Sequence, residues 1–129
     1  MTSDAAEKPL DYSEAVHRLA ALVPAGAVLS YKDVAELLGS GGARQTGKAM
    51  ASAPEGTPWW RIIRSNGSMA DALAEAAERH WIAEELAAPG RHVNMNRYRW
   101  NPNDWAWEKI DALRTALGNP KMSEMDDQL

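Results

Sequence analysis

The sequence predicts a mainly α-helical fold, namely a winged helix-turn-helix-like domain with a short β wing and an extra C-terminal helix. Three observations support this prediction. Apolar residues recur at helical spacing near both ends of the chain, a glycine pair at 41–42 separates two short helical stretches, and β-branched residues precede a turn at 65–68. A chain of 129 residues, 45% of them hydrophobic, is long enough for one domain with a core.

The first predicted helix begins at a cap provided by Asp11 or Ser13. It ends in the turn formed by Pro24, Ala25 and Gly26. Its apolar stripe consists of Val16, Leu19, Ala20 and Val23. This spacing is typical of a helix that packs one face on the core.

Two shorter helices follow, and the glycine pair lies in the turn between them. Ser30 is the predicted cap of the first, which Gly39 ends. The second runs from about Ala43 to Ala53 and stops before Pro54. Two short helices joined by a glycine-containing turn predict a helix-turn-helix.

The middle of the chain is predicted to contain the wing. The run Pro-Trp-Trp-Arg-Ile-Ile at 58–63 is typical of a strand entered from a tight turn. The stretch 61–64 and the turn 65–68 are expected to form the wing, and 71–87 the longest helix. Residues 93–100 alternate with period two, which predicts a returning strand or an extended segment.

Asp104 is the expected cap of a final helix. Its stripe consists of Trp105, Ala106, Ile110, Leu113 and Leu117, and the stop signal is Gly118-Asn119-Pro120. Such a stripe either packs on the domain, which is the more common use, or binds a partner. The predicted organisation is a flexible N-terminus (1–9), a main domain (10–102), a helical extension (103–118) and a flexible acidic tail (119–129).

Charge and composition narrow the class of protein. The net charge is −4, yet the segment 30–70 carries five basic and three acidic side chains, and 91–100 is basic without an acid. A basic face on an acidic protein suits selective docking on DNA. No segment is typical of a membrane span or a secretion signal, so we expect a cytoplasmic protein that does not bind membranes. With no cysteine and three scattered histidines, neither a metal site nor a cofactor is expected.

Three motifs in register carry a family resemblance. They are Val-Pro-Ala-Gly-Ala-Val-Leu-Ser-Tyr at 23–31, Gly-Gly-Ala-Arg-Gln-Thr-Gly-Lys-Ala-Met at 41–50 and the Pro-Trp-Trp-Arg run. Together they resemble the DNA-binding domain of the O6-alkylguanine-DNA alkyltransferases, closely over 10–70 and more loosely over 91–102. The alkyl-acceptor motif of that family is Pro-Cys-His-Arg, so Trp59 stands at the cysteine position and Trp60 at the histidine position. Tryptophan at the cysteine position marks the alkyltransferase-like proteins, which bind alkylated DNA without repairing it.

The resemblance implies roles for individual residues. Arg44 matches the arginine that enters the base stack in place of a flipped nucleotide, and Tyr31 matches the tyrosine that crowds the neighbouring phosphate. The small residues of the third helix leave room for a close approach to the minor groove. The expected DNA-binding residues are Tyr31, Arg44, Gln45, Gly47 and Lys48. The expected lesion pocket consists of Tyr31, Pro58, Trp59, Trp60, Arg61 and Ser65.

The predicted function is therefore non-enzymatic recognition of O6-alkylguanine in duplex DNA by nucleotide flipping. Direct dealkylation requires a soft nucleophile, normally an activated thiolate, and this chain has no cysteine to provide one. The resemblance also implies that the lesion is handed to nucleotide excision repair proteins. One departure is Ala53, which stands where the family has an asparagine, and the far wall of the pocket is not assigned by the sequence.

Two other functions remain open at this point. A winged-helix transcription regulator would read base edges in the major groove, although few side chains of the third helix are long enough to do so. An enzyme of new chemistry would use His80 or His92 as a base, but no paired nucleophile is visible. Gly47 and the paired tryptophans also have purely structural interpretations, as a site of tight helix packing and as core residues.

Overall fold

The computed structural model describes residues 10–119. Within this range it contains six α-helices, one 3₁₀ turn and a two-stranded sheet, so the prediction of a mainly helical fold is confirmed. The elements are α1 (Tyr12–Leu22), β1 (Leu29–Ser30), α2 (Tyr31–Leu38), α3 (Ala43–Met50), a 3₁₀ turn (Trp59–Arg61), β2 (Ile62–Ile63), α4 (Asp71–Ala83), α5 (Met95–Tyr98) and α6 (Asp104–Ala116). None of the helices in this range is long and apolar enough to cross a membrane.

The predicted helix-turn-helix is formed by α2 and α3. Ser30 and Asp33 form a reciprocal capping box at the start of α2, and Gly39 ends the helix in the left-handed conformation at φ 80°. Helix α3 begins at Ala43 as predicted but ends at Met50, three residues early. Both the N–H and the hydroxyl of Ser52 donate to the carbonyl of Ala49, which closes the chain into a turn before the proline.

Two clusters of buried side chains make up the core, one on each side of β2. The first joins α1, α2, α3 and α6, and the second joins β2 to α4 and the segment 86–95. Ile62 belongs to the first cluster and Ile63 to the second, because successive strand residues point to opposite faces. Trp59 packs against both clusters, so it lies where they meet.

The predicted wing requires correction. The strand is confined to Ile62–Ile63, and it pairs in parallel with β1, in the register Leu29 with Ile62 and Ser30 with Ile63. All four of these residues are buried, so the strand is an internal element and not an exposed wing. The preceding Trp59–Arg61 forms a 3₁₀ turn where a strand was expected. Two consecutive isoleucines indicate burial on both faces, as in parallel sheets.

The prediction of a strand or extended segment at 93–100 is wrong over residues 95–98, whereas Asn94 and Arg99 on either side have extended backbone. Residues 95–98 form the short helix α5, capped by the side chain of Asn94, and Arg99 alone forms a bridge to Val28. The alternation reflects burial of Val93 and Met95 beside exposed neighbours. Helix α4 ends at Ala83, four residues before the expected Ala87. It was predicted to be the longest helix, but at 13 residues it is only as long as α6.

Helix α6 packs on the domain, which is the more common of its two predicted uses. Its cap is Asn103, one residue before the predicted Asp104. Ala106, Ile110 and Leu113 are buried as expected, whereas Trp105 is 59% exposed. The reason is that Trp105 lies off the buried stripe, where it contacts the ammonium of Lys109 at 5.5 Å.

The predicted flexible N-terminus at 1–9 lies outside the described residues, as does the predicted tail from 120 onwards. Asn119, the first residue of that predicted tail, is described. Its side-chain amide donates to the carbonyl of Leu38 and to the hydroxyl of Ser40.

Candidate nucleic-acid interface

Helix α3 presents a polar, positively charged face to solvent. Arg44, Gln45 and Lys48 are exposed, whereas Thr46 and Ala49 are buried against the rest of the domain. Within residues 10–119, neither Arg44 nor Lys48 forms an ion pair. Both cations are therefore available to an anionic partner such as a phosphate backbone.

The buried side of α3 holds the helix in place. The hydroxyl of Tyr12 on α1 contacts the hydroxyl of Thr46 at 3.1 Å and donates to the carbonyl of Ser40 in the turn. The ring of His17 contacts the carbonyl of Ala49 at 2.7 Å. These polar contacts add to the apolar packing, so the exposed face of α3 has a fixed position.

Gly47 lies on the same helix with open space in front of it. A β-carbon built at this position would meet no atom within 4 Å. Tight helix packing therefore does not account for this glycine, although glycine weakens a helix interior by about 1 kcal/mol relative to alanine. The space in front of Gly47 belongs to a cavity.

That cavity has a volume of about 600 Å³ and lies between α3, the turn after it and the start of α4. Its walls are mainly apolar, and they come from four parts of the chain. The lining residues are Tyr31, Gly47, Met50, Ala51, Ala53, Pro54, Glu55, Gly56, Thr57, Trp59, Trp60, Ile62, Met69, Ala70 and Leu73. A concave site of this size with few polar groups suits a planar organic ligand.

Three aromatic rings are packed together at the back of the cavity. The rings of Trp60 and His80 are stacked, with centroids 3.6 Å apart and planes 7° apart. Trp59 meets both rings edge to face, at 5.8 Å from Trp60 and 5.9 Å from His80. His80 therefore belongs to the aromatic cluster that supports the indole pair.

Glu84, just after α4, fixes the orientation of Trp60. Its carboxylate accepts from the indole N–H of Trp60 at 2.9 Å, from Arg61 at 2.6 Å and from the backbone N–H of Gly26 at 3.0 Å. Burial alone would raise the pKa of Glu84. The hydrogen bonds from Arg61, Gly26 and Trp60, together with the charge of Arg61, outweigh burial and lower this pKa below its ordinary value.

Tyr31 closes another side of the cavity at the start of α2. It is half-buried, and its hydroxyl donates to the sulfur of Met69 at 3.7 Å. Burial raises the pKa of Tyr31, although the nearby charge of Arg64 opposes the shift. The phenol therefore stays neutral and keeps its proton to donate at physiological pH.

The structure brings only some of the predicted pocket residues together. Tyr31, Trp59 and Trp60 line the cavity, whereas Pro58, Arg61 and Ser65 do not. Pro58 is buried, and Ser65 is exposed in the turn after β2. The guanidinium of Arg61 faces Glu84 and donates to the carbonyl of Val23, so it supports the wall from behind.

Other lining residues were missed by the sequence analysis. The unassigned far wall is formed by Met69, Ala70 and Leu73, and the rim by the turn 53–57. The rim had a sequence signal in its Pro-Glu-Gly-Thr composition, which is typical of a turn. The far wall had none, because the second core cluster brings the start of α4 to the indoles through contacts distant in sequence.

The family model for the 6-O-methylguanine DNA methyltransferase DNA-binding domain matches residues 11–87, which include α1 to α4 and every residue that lines the cavity. The chain belongs to this family. The DNA base-flipping protein of Escherichia coli (strain K12) is 34% identical to this chain over 101 residues. The match covers 74% of this chain and 78% of the relative.

Solved structures agree with the family assignment. The chain superimposes on S. pombe Atl1 in complex with damaged DNA containing O6-carboxymethylguanine with a TM-score of 0.63, at 24% identity, covering 70% of this chain and 94% of Atl1. A second structure, of S. pombe ATL in complex with DNA, gives a TM-score of 0.59 at 26% identity over 70% of this chain and 95% of that one. These superpositions establish that the fold is that of the family's DNA-binding domain.

Proposed function

We propose that this protein recognises O6-alkylguanine in duplex DNA by flipping the damaged nucleotide into the cavity beside α3, without chemical repair. The main observation behind the proposal is that Gly47, Trp59 and Trp60 line the same open cavity. Arg44 is exposed on the same helix as Gly47 and forms no ion pair within residues 10–119. The name of the E. coli relative, DNA base-flipping protein, supports the same function.

Docking would place α3 in the minor groove. The space in front of Gly47 lets the helix backbone approach the DNA, and Lys48 provides a contact to phosphate. Gln45 is also exposed on this helix and can donate to a phosphate or a base edge. Arg44 would enter the base stack where the flipped nucleotide was, which offsets part of the few kcal/mol that unstacking costs.

The cavity would hold the flipped base. Trp59 provides a flat apolar surface for the alkylated guanine, and Tyr31 faces it with a hydroxyl that stays protonated. Each methylene that the adduct buries contributes about 0.8 kcal/mol. An alkylated base is therefore expected to be retained more strongly than guanine.

No step of alkyl transfer is available to this chain. The sequence contains no cysteine, and we place Trp59 at the position of the alkyl acceptor of the resembled family and Trp60 at that of its histidine. An indole offers neither a nucleophilic thiolate nor a basic nitrogen. Binding without transfer requires another activity to remove the lesion, and we propose nucleotide excision repair proteins as the recipients. The predicted cytoplasmic location stays a prediction.

The proposal is tested by binding to two matched duplexes, one with a single O6-methylguanine and one with guanine, at the same salt concentration. The lesion base is then recovered and analysed for its methyl group. We expect tighter binding to the lesion duplex and an intact methyl group. Because phosphate contacts dominate affinity in both duplexes, the ratio of the two affinities is the relevant quantity.

Two outcomes would overturn the proposal. Loss of the methyl group would establish an enzyme. Equal affinity for both duplexes would reduce the family relationship to a shared fold and favour a winged-helix regulator, whose affinity would change with the surrounding sequence and not with the adduct.

A further inference from the structure

The rim of the cavity carries a single negative charge. Glu55 is the single charged residue among the fifteen that line the cavity, and no described lysine, arginine or histidine shares the lining with it. Its neighbours on the wall are apolar or neutral. The lining itself therefore presents one negative charge and no positive charge to a ligand.

Glu55 is held at the rim by a turn. The N–H and the hydroxyl of Thr57 both donate to the carbonyl of Pro54, at 3.1 and 2.7 Å, and Gly56 takes the positive φ of 95° that the turn requires. Within residues 10–119, the carboxylate of Glu55 forms no ion pair. The side chain is exposed and also lines a neighbouring cavity with His17 and Arg18, so solvent, dissolved salt and the nearby charge of Arg18 reduce the effect of its charge.

We propose that the cavity selects neutral, apolar O6 adducts over anionic ones and that Glu55 is the residue that determines this specificity. The inference rests on the proposed function, because it concerns the adduct on the flipped base. An O6-carboxymethyl group is ionised at neutral pH. In this cavity it would leave water for walls such as Leu73 and Met50 without a cation to pair with, and it would be repelled by Glu55.

Another cation lies nearby but outside the lining. Arg64 is exposed and lines a neighbouring cavity of about 540 Å³ that also includes Met69, and its charge acts on Tyr31 at the edge between the two cavities. That second cavity also contains Asp71, Glu75 and Glu78, so the charge of Arg64 is offset there. The proposed selectivity concerns the kind of anionic adduct that the S. pombe Atl1 complex contains, O6-carboxymethylguanine.

The experiment compares four duplexes that differ in one base: guanine, O6-methylguanine, O6-propylguanine and O6-carboxymethylguanine. The propyl and carboxymethyl groups are similar in length and differ in charge. We expect the protein to prefer the propyl adduct over the carboxymethyl adduct by about tenfold at physiological salt. In Glu55→Gln this ratio should fall by about threefold, because the repulsive charge is gone while the apolar walls remain.

A matched control separates this effect from general repulsion of DNA. Glu36→Gln removes the same charge from an exposed position on α2 that does not line the cavity. It should shift the affinities for all four duplexes together and leave the propyl-to-carboxymethyl ratio unchanged.

The possible failures are distinguishable. Equal or tighter binding of the carboxymethyl adduct, with both adducts preferred over guanine, overturns the selectivity while leaving the proposed function intact. A ratio that is the same in Glu55→Gln and the wild type overturns the assignment to Glu55. If no adduct is bound more tightly than guanine, the proposed function fails and this inference fails with it.

Discussion

The indole N–H of Trp60 donates a 2.9 Å hydrogen bond to the carboxylate of Glu84, which lies 24 positions further along the chain. The same carboxylate forms a 2.6 Å ion pair with Arg61, and the guanidinium of Arg61 lies 5.3 Å from the Trp60 ring centre. One acidic side chain thus fixes both residues that follow Trp59. The wall of the cavity is consequently held by a polar network as well as by packing.

Replacing Glu84 tests this support. Glu84→Ala leaves the guanidinium of Arg61, whose side chain is only 16% exposed, without its partner. We expect a loss of about 2–4 kcal/mol in the free energy of unfolding, measured by urea denaturation. Glu75→Ala is the control, because that side chain is 91% exposed and its contact with Arg79 is 4.0 Å long. A similar small change in both variants would contradict the supporting role of Glu84.

The pH dependence of stability offers a second test of the same residue. The pKa of Glu84 in the folded protein lies below its ordinary value of 4.5, so the unfolded chain binds more protons between the two values. The stabilisation is therefore complete above about pH 4.5 and is lost as the pH falls through the folded-state pKa. Wild type should lose stability more steeply than Glu84→Gln below this pH. Parallel denaturation curves would show that other carboxyl groups dominate.

Arg44 is the residue we expect to be most sensitive in DNA binding. Arg44→Ala should reduce affinity for the lesion duplex by about tenfold or more and leave the fold unchanged, because the exposed side chain has no ion pair within residues 10–119. Lys48→Ala removes the same charge from the same helix. It should weaken binding to damaged and undamaged duplexes equally. It should also reduce the slope of log affinity against log salt concentration by about one. Equal effects of both substitutions on the lesion preference would contradict the insertion of Arg44.

Local sequence signals predicted the elements they determine directly. Ser30 and Gly39 set the bounds of α2, as expected from a cap and a left-handed stop. The sequence did not predict the pairing of β2 with β1, because that pairing depends on contacts between residues about 33 positions apart. The same holds for the cavity, where the indole pair was predicted and its far wall was not. Motifs identify side chains, but tertiary packing decides which of them face one another.

Arg114 on helix α6 supports the end of α2, away from the proposed DNA interface. Arg114 is 1% exposed, and its guanidinium donates to the carbonyls of Glu36 and Leu37 at the end of α2. Arg114→Met should therefore cost about 2–4 kcal/mol of stability, since these carbonyls lose a charged donor in a buried position. Trp105→Ala on the exposed side of α6 should change stability by less than about 0.5 kcal/mol. Thermal denaturation compares the two variants, and equal midpoints would show that α6 does not support the helix-turn-helix.

Gly47 separates stability from function in the same helix. Gly47→Ala should raise the free energy of unfolding by about 0.5–1 kcal/mol, because alanine favours helix and a β-carbon here meets no atom within 4 Å. Gly47→Leu is also compatible with the fold, yet its side chain would fill part of the cavity and keep the helix backbone away from the DNA. We expect affinity for the lesion duplex to fall modestly in Gly47→Ala and strongly in Gly47→Leu, while both proteins stay folded. Gly42, which also has no atom within 4 Å of a built β-carbon, precedes α3 and does not line the cavity, so Gly42→Ala is the control. Undiminished lesion binding by Gly47→Leu would show that α3 does not approach the DNA through this position.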